Sequence, residues 1–135
     1  MRVLSELGQN IIPEIFDALQ EEGLGELLDV LADTTVKDER GAVVKSAATA
    51  IYSNISIPPL RKNKTGNRLS VGDKPMSYGN YLMVIPTKQN GVRVNLNADH
   101  RLRIQARDLE PEKTFSIESI FENNGVTYEV EAKKE

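Results

Sequence analysis

The chain has 135 residues, enough for one domain, and its apolar content of 39% with 27% charged residues is that of a globular protein. With no cysteine and one histidine, a disulfide scaffold, thiolate and three-histidine metal sites and a cysteine nucleophile are excluded. The net charge of −3 hides an uneven layout: residues 1–39 carry −8, residues 40–107 carry +10 and residues 108–135 carry −5. An acid–base–acid order of this size predicts recognition by charge, whether by copies of the chain, other proteins or nucleic acid.

In chain order, Val3, Leu4, Leu7, Ile11, Ile15 and Leu19 recur at spacings of three and four, with Ile12 and Phe16 widening the stripe. That period predicts an amphipathic helix over 3–21. Pro13 should kink it or begin a fresh helix, and Gly23 with Gly25 should close it. Period does not decide between helix and strand for residues 24–32. Beyond them, Asp33-Thr34-Thr35-Val36-Lys37, the turn Asp38-Glu39-Arg40-Gly41 and the Val-, Ala- and Thr-rich run from Ala42 to Ile51 predict a β-hairpin. The return strand continues from Tyr52 to Ile57 and stops at Pro58-Pro59.

Residues 58–79 have no clear period and hold Arg61, Lys62, Lys64, Arg68 and Lys74, broken by Gly66, Gly72, Pro75 and Gly79. They read as a long basic loop, with Leu69 and Val71 hinting at a short strand, and loops of this length are usually functional or disordered. Tyr81-Leu82-Met83-Val84-Ile85 reads as a buried strand stopped by Pro86. Leu102, Ile104 and Ala106 alternate with Arg101, Arg103, Gln105 and Arg107, giving one buried face and one basic face. Phe115 and Ile117 alternate with Thr114, Ser116 and Glu118, and the phase slips at Ile120-Phe121, which predicts a bulge. Asn124-Gly125 is a strong hairpin signal before Val126, Tyr128 and Val130. The sum is a mainly β chain: a helical segment over 1–26, then a small antiparallel β-barrel of five to six strands over 27–135. No apolar run reaches the roughly 18 residues of a membrane span, and no signal-like leader is visible, so no membrane partner is expected.

No catalytic set emerges. His100 has only Asp99 to recommend it, and no nucleophile elbow, phosphate loop or calcium loop is present. Neither an enzyme nor a cofactor or metal site is expected. Asn54-Ile55-Ser56 and Asn63-Lys64-Thr65 match glycosylation acceptors by spacing alone and are set aside. The basic residues have more substance. Arg61, Lys62, Lys64 and Arg68 with the Arg101, Arg103 and Arg107 face could meet phosphates, an acidic partner, or the acidic flanks of this chain or of a neighbouring copy. Only Tyr78 and Tyr81 lie between residues 60 and 107, so platforms for stacking bases are sparse.

The ordering of these elements resembles the head-closure (stopper) and head–tail joining proteins of long-tailed bacteriophages. The resemblance rests on Asp33-Thr34-Thr35-Val36, the Asp38–Gly41 turn, residues 43–55, Tyr81-Leu82-Met83-Val84-Ile85-Pro86, Asp99-His100-Arg101-Leu102-Arg103-Ile104, Thr114–Ile120 and residues 126–132. It covers roughly residues 33–132. It implies a non-enzymatic component of the virion neck, held in host cytoplasm before assembly. Its partners would be the portal or adaptor, the tail and copies of itself in a ring. DNA contact without sequence specificity is compatible with it. The expected contact residues are Asp38, Glu39, Arg40, Arg61, Lys62, Lys64, Arg68, Lys74, Arg101, Arg103 and Arg107, with a small-barrel nucleic-acid-binding module as the alternative.

Overall fold

The amphipathic stripe forms one helix, α1 (Arg2–Glu21), which passes through Pro13 without a break. Its computed structural model describes residues 2–64, 69–107 and 109–135. The Leu24 N–H reaches the Leu19 carbonyl at 2.8 Å and the Gly23 N–H reaches that of Gln20 at 3.0 Å. These two bonds with Gly23 at φ 75° satisfy the last carbonyls of the helix and reverse the chain, as the glycine pair predicts. Phe16 is buried, whereas Ile11 and Ile15 stay exposed on the other flank.

Residues 24–32, ambiguous by period, enter the strand β1 (Glu26–Lys37). Leu28 and Val30 point into the core, and Gly25 lies so close to the Ile57 carbonyl that a Cβ would stand 2.7 Å from it. The expected hairpin follows. Asp38 Oδ1 accepts the N–H groups of Arg40 and Ala42 at 2.9 Å each, Gly41 takes φ 81°, and β2 (Val43–Ile57) returns antiparallel.

Within residues 58–79 lie three two-residue strands, β3 (Arg61–Lys62), β4 (Ser70–Val71) and β5 (Lys74–Pro75). Next come β6 (Tyr81–Pro86), β7 (Lys88–Gln89), β8 (Val92–Arg93), β9 (Arg101–Ile104), β10 (Lys113–Asn123) and β11 (Thr127–Lys134). The turn into β11 uses Asn124 and Gly125 at φ 53° and 71°. A register shift between Ile117 and Ser119 accounts for the phase slip, so the bulge lies at Glu118, slightly earlier than Ile120-Phe121.

Seven strands pair antiparallel in the order β2-β1-β9-β10-β11-β6-β3, and β4-β5 and β7-β8 form separate ribbons. Two corrections follow. The expected five to six strands undercount the structure, because two-residue strands carry no readable period. The architecture is a large antiparallel sheet rather than a closed barrel, since among the described residues no ladder joins its edges, β2 and β3.

The core lies on one face of this sheet: Leu28, Val30, Ile55, Ile57, Met83, Ile85, Leu102, Ile104, Phe115, Val130 and Ala132, with Val94 and Tyr128. Phe115 is its largest fully buried side chain and meets the Tyr81 ring edge-on at 5.3 Å. Phe115→Ala should lower the unfolding free energy by about 3–5 kcal/mol, read as an earlier midpoint in urea.

Candidate interaction surface

The arginine face of β9 does not stand free. Arg103 Nε and Nη2 both meet Asp29 Oδ2, at 3.1 and 2.8 Å. Arg101 Nε meets Glu135 Oε1 at 3.0 Å, and Arg107 Nη1 lies 3.8 Å from Glu26 Oε1. Two of these acids come from the acidic first segment and one from the acidic last segment, so the charge layout is partly consumed inside the chain. Of the three pairs, the Arg103 one carries the energy, because the Asp29 side chain is only 5% exposed.

Asp29 sits where three strands meet. Between Leu28↔Ile55 and Val30↔Tyr52 the ladder slips, leaving Ser53 and Asn54 opposite one residue of β1. Asn54, at φ 59°, donates its N–H to Asp29 Oδ1 at 3.0 Å, and Gln105 Nε2 donates to the same oxygen at 2.8 Å. Burial pushes the Asp29 carboxyl up, but the hydrogen bonds from Arg103, Asn54 and Gln105 and the Arg103 charge outweigh it. They hold the group below its ordinary 3.8.

A second buried acid pins the basic loop. Glu131, 3% exposed, accepts at Oε2 from the Ser77 N–H at 2.9 Å and from Asn80 Nδ2 at 2.6 Å. Glu129 Oε2 accepts the Gly72 N–H at 2.9 Å, and Gly72, at φ 59°, lies flat on the Phe121 ring. Asn63 ties the loop to itself: Nδ2 donates to the Met76 and Ser77 carbonyls, both at 3.1 Å, and Oδ1 accepts the Leu69 N–H at 3.2 Å. Its buried, fully engaged amide is consistent with setting the glycosylation triplet aside. Burial pushes the Glu131 carboxyl up, but the bonds from Ser77, Asn80 and Ser119 and the Lys74 charge hold it below its ordinary 4.5.

The remaining expected contact residues fall in two places. Arg61 and Lys62 lie on the edge strand β3, Lys64 just beyond, and Lys74 on β5; all four are exposed and form no ion pair among the described residues. Lys62 Nζ lies 5.8 Å over the Tyr81 ring. Asp38, Glu39 and Arg40 form the tip of the β1–β2 hairpin, where the Asp38 carboxylate is occupied in shaping the turn. Arg68 lies outside the described residues. The ten described residues of this set lie on separate elements: β9 and just beyond it, β3 to β5, and the β1–β2 turn.

His100 accepts the Asn97 N–H at Nδ1 over 3.3 Å, a turn-forming contact. No group of three potential metal ligands occurs among the described residues, and none of their helices is long and apolar enough to cross a membrane. Asp29, Gln89 and Glu131 carry no signal that the sequence reading picks out, and Asn63 enters it only through the triplet set aside. An acid inside the apolar run Leu27–Leu31, opposite an arginine stripe, is the signal that could have found Asp29. No family model matches the chain, and no curated protein matches it.

Both carboxyls are depressed, so the stability they lend is present above their unfolded values and is lost as pH falls through the lower folded ones. Asp29→Asn should cost about 2 kcal/mol at neutral pH. Urea melts repeated at about pH 3 should show a smaller gap between variant and wild type, because the wild type has then begun to lose the same charge. Glu131→Gln should leave the core intact and speed hydrogen exchange at the Ser77 N–H about tenfold or more, since one charged acceptor of the loop is gone.

Proposed function

We propose that the protein is a non-enzymatic structural component of the neck of a tailed phage or prophage, acting in head completion or head–tail joining. It would assemble as a ring between the portal or adaptor and the tail. The observation that carries this reading is the division of its charges. The β9 arginines are spent on the chain's own acids, whereas Arg61, Lys62, Lys64 and Lys74 stay exposed at the β3 side of the sheet. Glu14 and Glu21 are exposed on α1 and Glu22 just past its end, and α1 packs against β2, β7 and β6. Opposite charge on separate elements, cations on β3 and β5 and acids on α1, suits a head-to-tail contact, which closes into a ring when the rotation allows.

The sheet also lays β2 near β6, which supports the likeness to a small-barrel module although no ladder among the described residues closes it. Loss of Arg101, Arg103 and Arg107 to internal pairs leaves fewer cations for phosphates, which favours subunit contact over the nucleic-acid alternative.

The reading is tested on DNA-filled heads that carry a portal but lack the neck. Added protein should appear as a ring at the portal vertex by electron microscopy and reduce DNA leakage. Arg61→Glu with Lys62→Glu should weaken that binding about tenfold at low salt and less at high salt. Heads that stay bare, with DNA instead retained by the free protein, would favour the nucleic-acid module.

A further inference from the structure

The chain contains two Asn-Gly pairs, Asn90-Gly91 and Asn124-Gly125. They adopt the same conformation: Asn90 and Gly91 have φ 52° and 78°, Asn124 and Gly125 have φ 53° and 71°. Each pair turns the chain between antiparallel strands, β7 to β8 and β10 to β11. Asparagine before glycine has a reactivity of its own. Glycine carries no side chain to keep its nitrogen from the asparagine carboxamide carbon, so the two can close into a cyclic imide. By sequence and local conformation the two pairs are equivalent, and they differ only in what holds them.

The β10–β11 ladder runs from Phe115↔Lys134 to Asn123↔Thr127 and lies inside the large sheet, between β9 and β6. Its turn is tied further. The Val126 N–H donates to the Asn123 carbonyl at 3.0 Å, and the Thr87 hydroxyl donates to the Gly125 carbonyl at 2.9 Å. The β7–β8 ribbon has only the pairs Lys88↔Arg93 and Gln89↔Val92, and it joins no other strand among the described residues. A ribbon this short is marginal in water. Its Lys88↔Arg93 pair also sets two cations directly opposite each other, which costs further stability. The root is fixed, since the Val94 N–H donates to the Thr87 carbonyl at 2.8 Å, and Gln89 is buried. Residues 90–93 beyond it are all exposed. Among the described residues the Asn90 carboxamide makes no hydrogen bond, and no atom lies within 4 Å of where a Gly91 side chain would begin.

We propose that Asn90 is a site of spontaneous deamidation through a succinimide, and that its sheet protects Asn124 from the same reaction. A left-handed asparagine directs the next nitrogen away from its own side chain, so the tip must open before the ring can close. The tip of a short ribbon opens at little cost, whereas the β10–β11 turn opens only with its sheet. In the open tip the Gly91 nitrogen gives its proton to hydroxide and attacks Asn90 Cγ. The N–Cγ bond forms, the Cγ–Nδ2 bond breaks, and the amide takes a proton from water and leaves as ammonia. Water then opens the imide at either carbonyl and leaves aspartate or isoaspartate at position 90. Nothing is oxidised or reduced. The new carboxylate sits at the turn between Lys88 and Arg93, whose repulsion it offsets. Asn90 also lines a cleft of about 210 Å³ between β2 and the ribbon. The residues lining that cleft are uncharged, so the reaction puts a charge on its wall. This chemistry is independent of the assembly proposed above.

The test is peptide mass spectrometry on the full chain after incubation in mildly alkaline buffer. In the folded protein, conversion at Asn90 should outpace conversion at Asn124 at least about tenfold and should yield both aspartate and isoaspartate. In urea the two rates should come together. Lys88→Glu replaces the like-charge pair with an opposite one. It should slow conversion at Asn90 about two- to fivefold in the folded chain and leave it unchanged in urea. Gly91→Ala, read in urea so that folding plays no part, should slow conversion at least about tenfold, because the added methyl group obstructs ring closure. Equal rates at the two asparagines of the folded chain overturn the inference, as does faster conversion at Asn124. Aspartate without isoaspartate at position 90 also overturns it, because that outcome signals direct hydrolysis. So does a folded chain that keeps Asn90 intact while the unfolded chain loses it.

Discussion

The Asp29 carboxylate is the constraint around which one half of the sheet is arranged. It lies in the middle of an apolar strand, where an unpaired charge would be expelled, and it stays because three neighbours converge on it. Arg103 neutralises it from β9, Gln105 donates from the end of that strand, and the N–H of Asn54 donates from the bulge in β2. Each contact also constrains its donor. The bulge needs Asn54 in a left-handed conformation, and the acid rewards that conformation by accepting the N–H it exposes.

The other half uses the same physics with different donors. Glu129 and Glu131 on β11 reach across to backbone N–H groups of a segment with almost no ladder of its own. Two buried hydrophobes, Val71 and Met76, hold the segment down, and Asn63 replaces the missing strand bonds within it. A chain without tryptophan and with few aromatics gets limited burial from such short strands. Charge-assisted bonds to main-chain N–H groups supply order there instead.

This allocation bears on function. Acids and bases that meet inside the fold are removed from recognition, so the net segment charges overstate what a partner encounters. The surface that remains is divided into a basic edge at β3, an acidic helix beside β2, and a cleft lined by uncharged residues between β2 and the β7–β8 ribbon.

The local elements were legible because each depends on neighbours in sequence. The stripe from Val3 to Leu19 marks α1, the Asp38 and Gly41 pair marks the first hairpin, Asn124-Gly125 the last, and the alternation from Arg101 to Ile104 marks β9 with its buried face. The phase slip after Ile117 announced a bulge to within two or three residues. What the tertiary structure alone decided was pairing between distant segments. That Arg103 is spent on Asp29, that residues 58–79 are strapped down by Glu129 and Glu131, and that β2 and β3 remain as open edges all depend on contacts 50 or more residues apart or on strands too short to show a period. Local period reports which face of a segment avoids water. It carries no record of which distant carboxylate will meet which cation, because that choice is made when the faces close on one another.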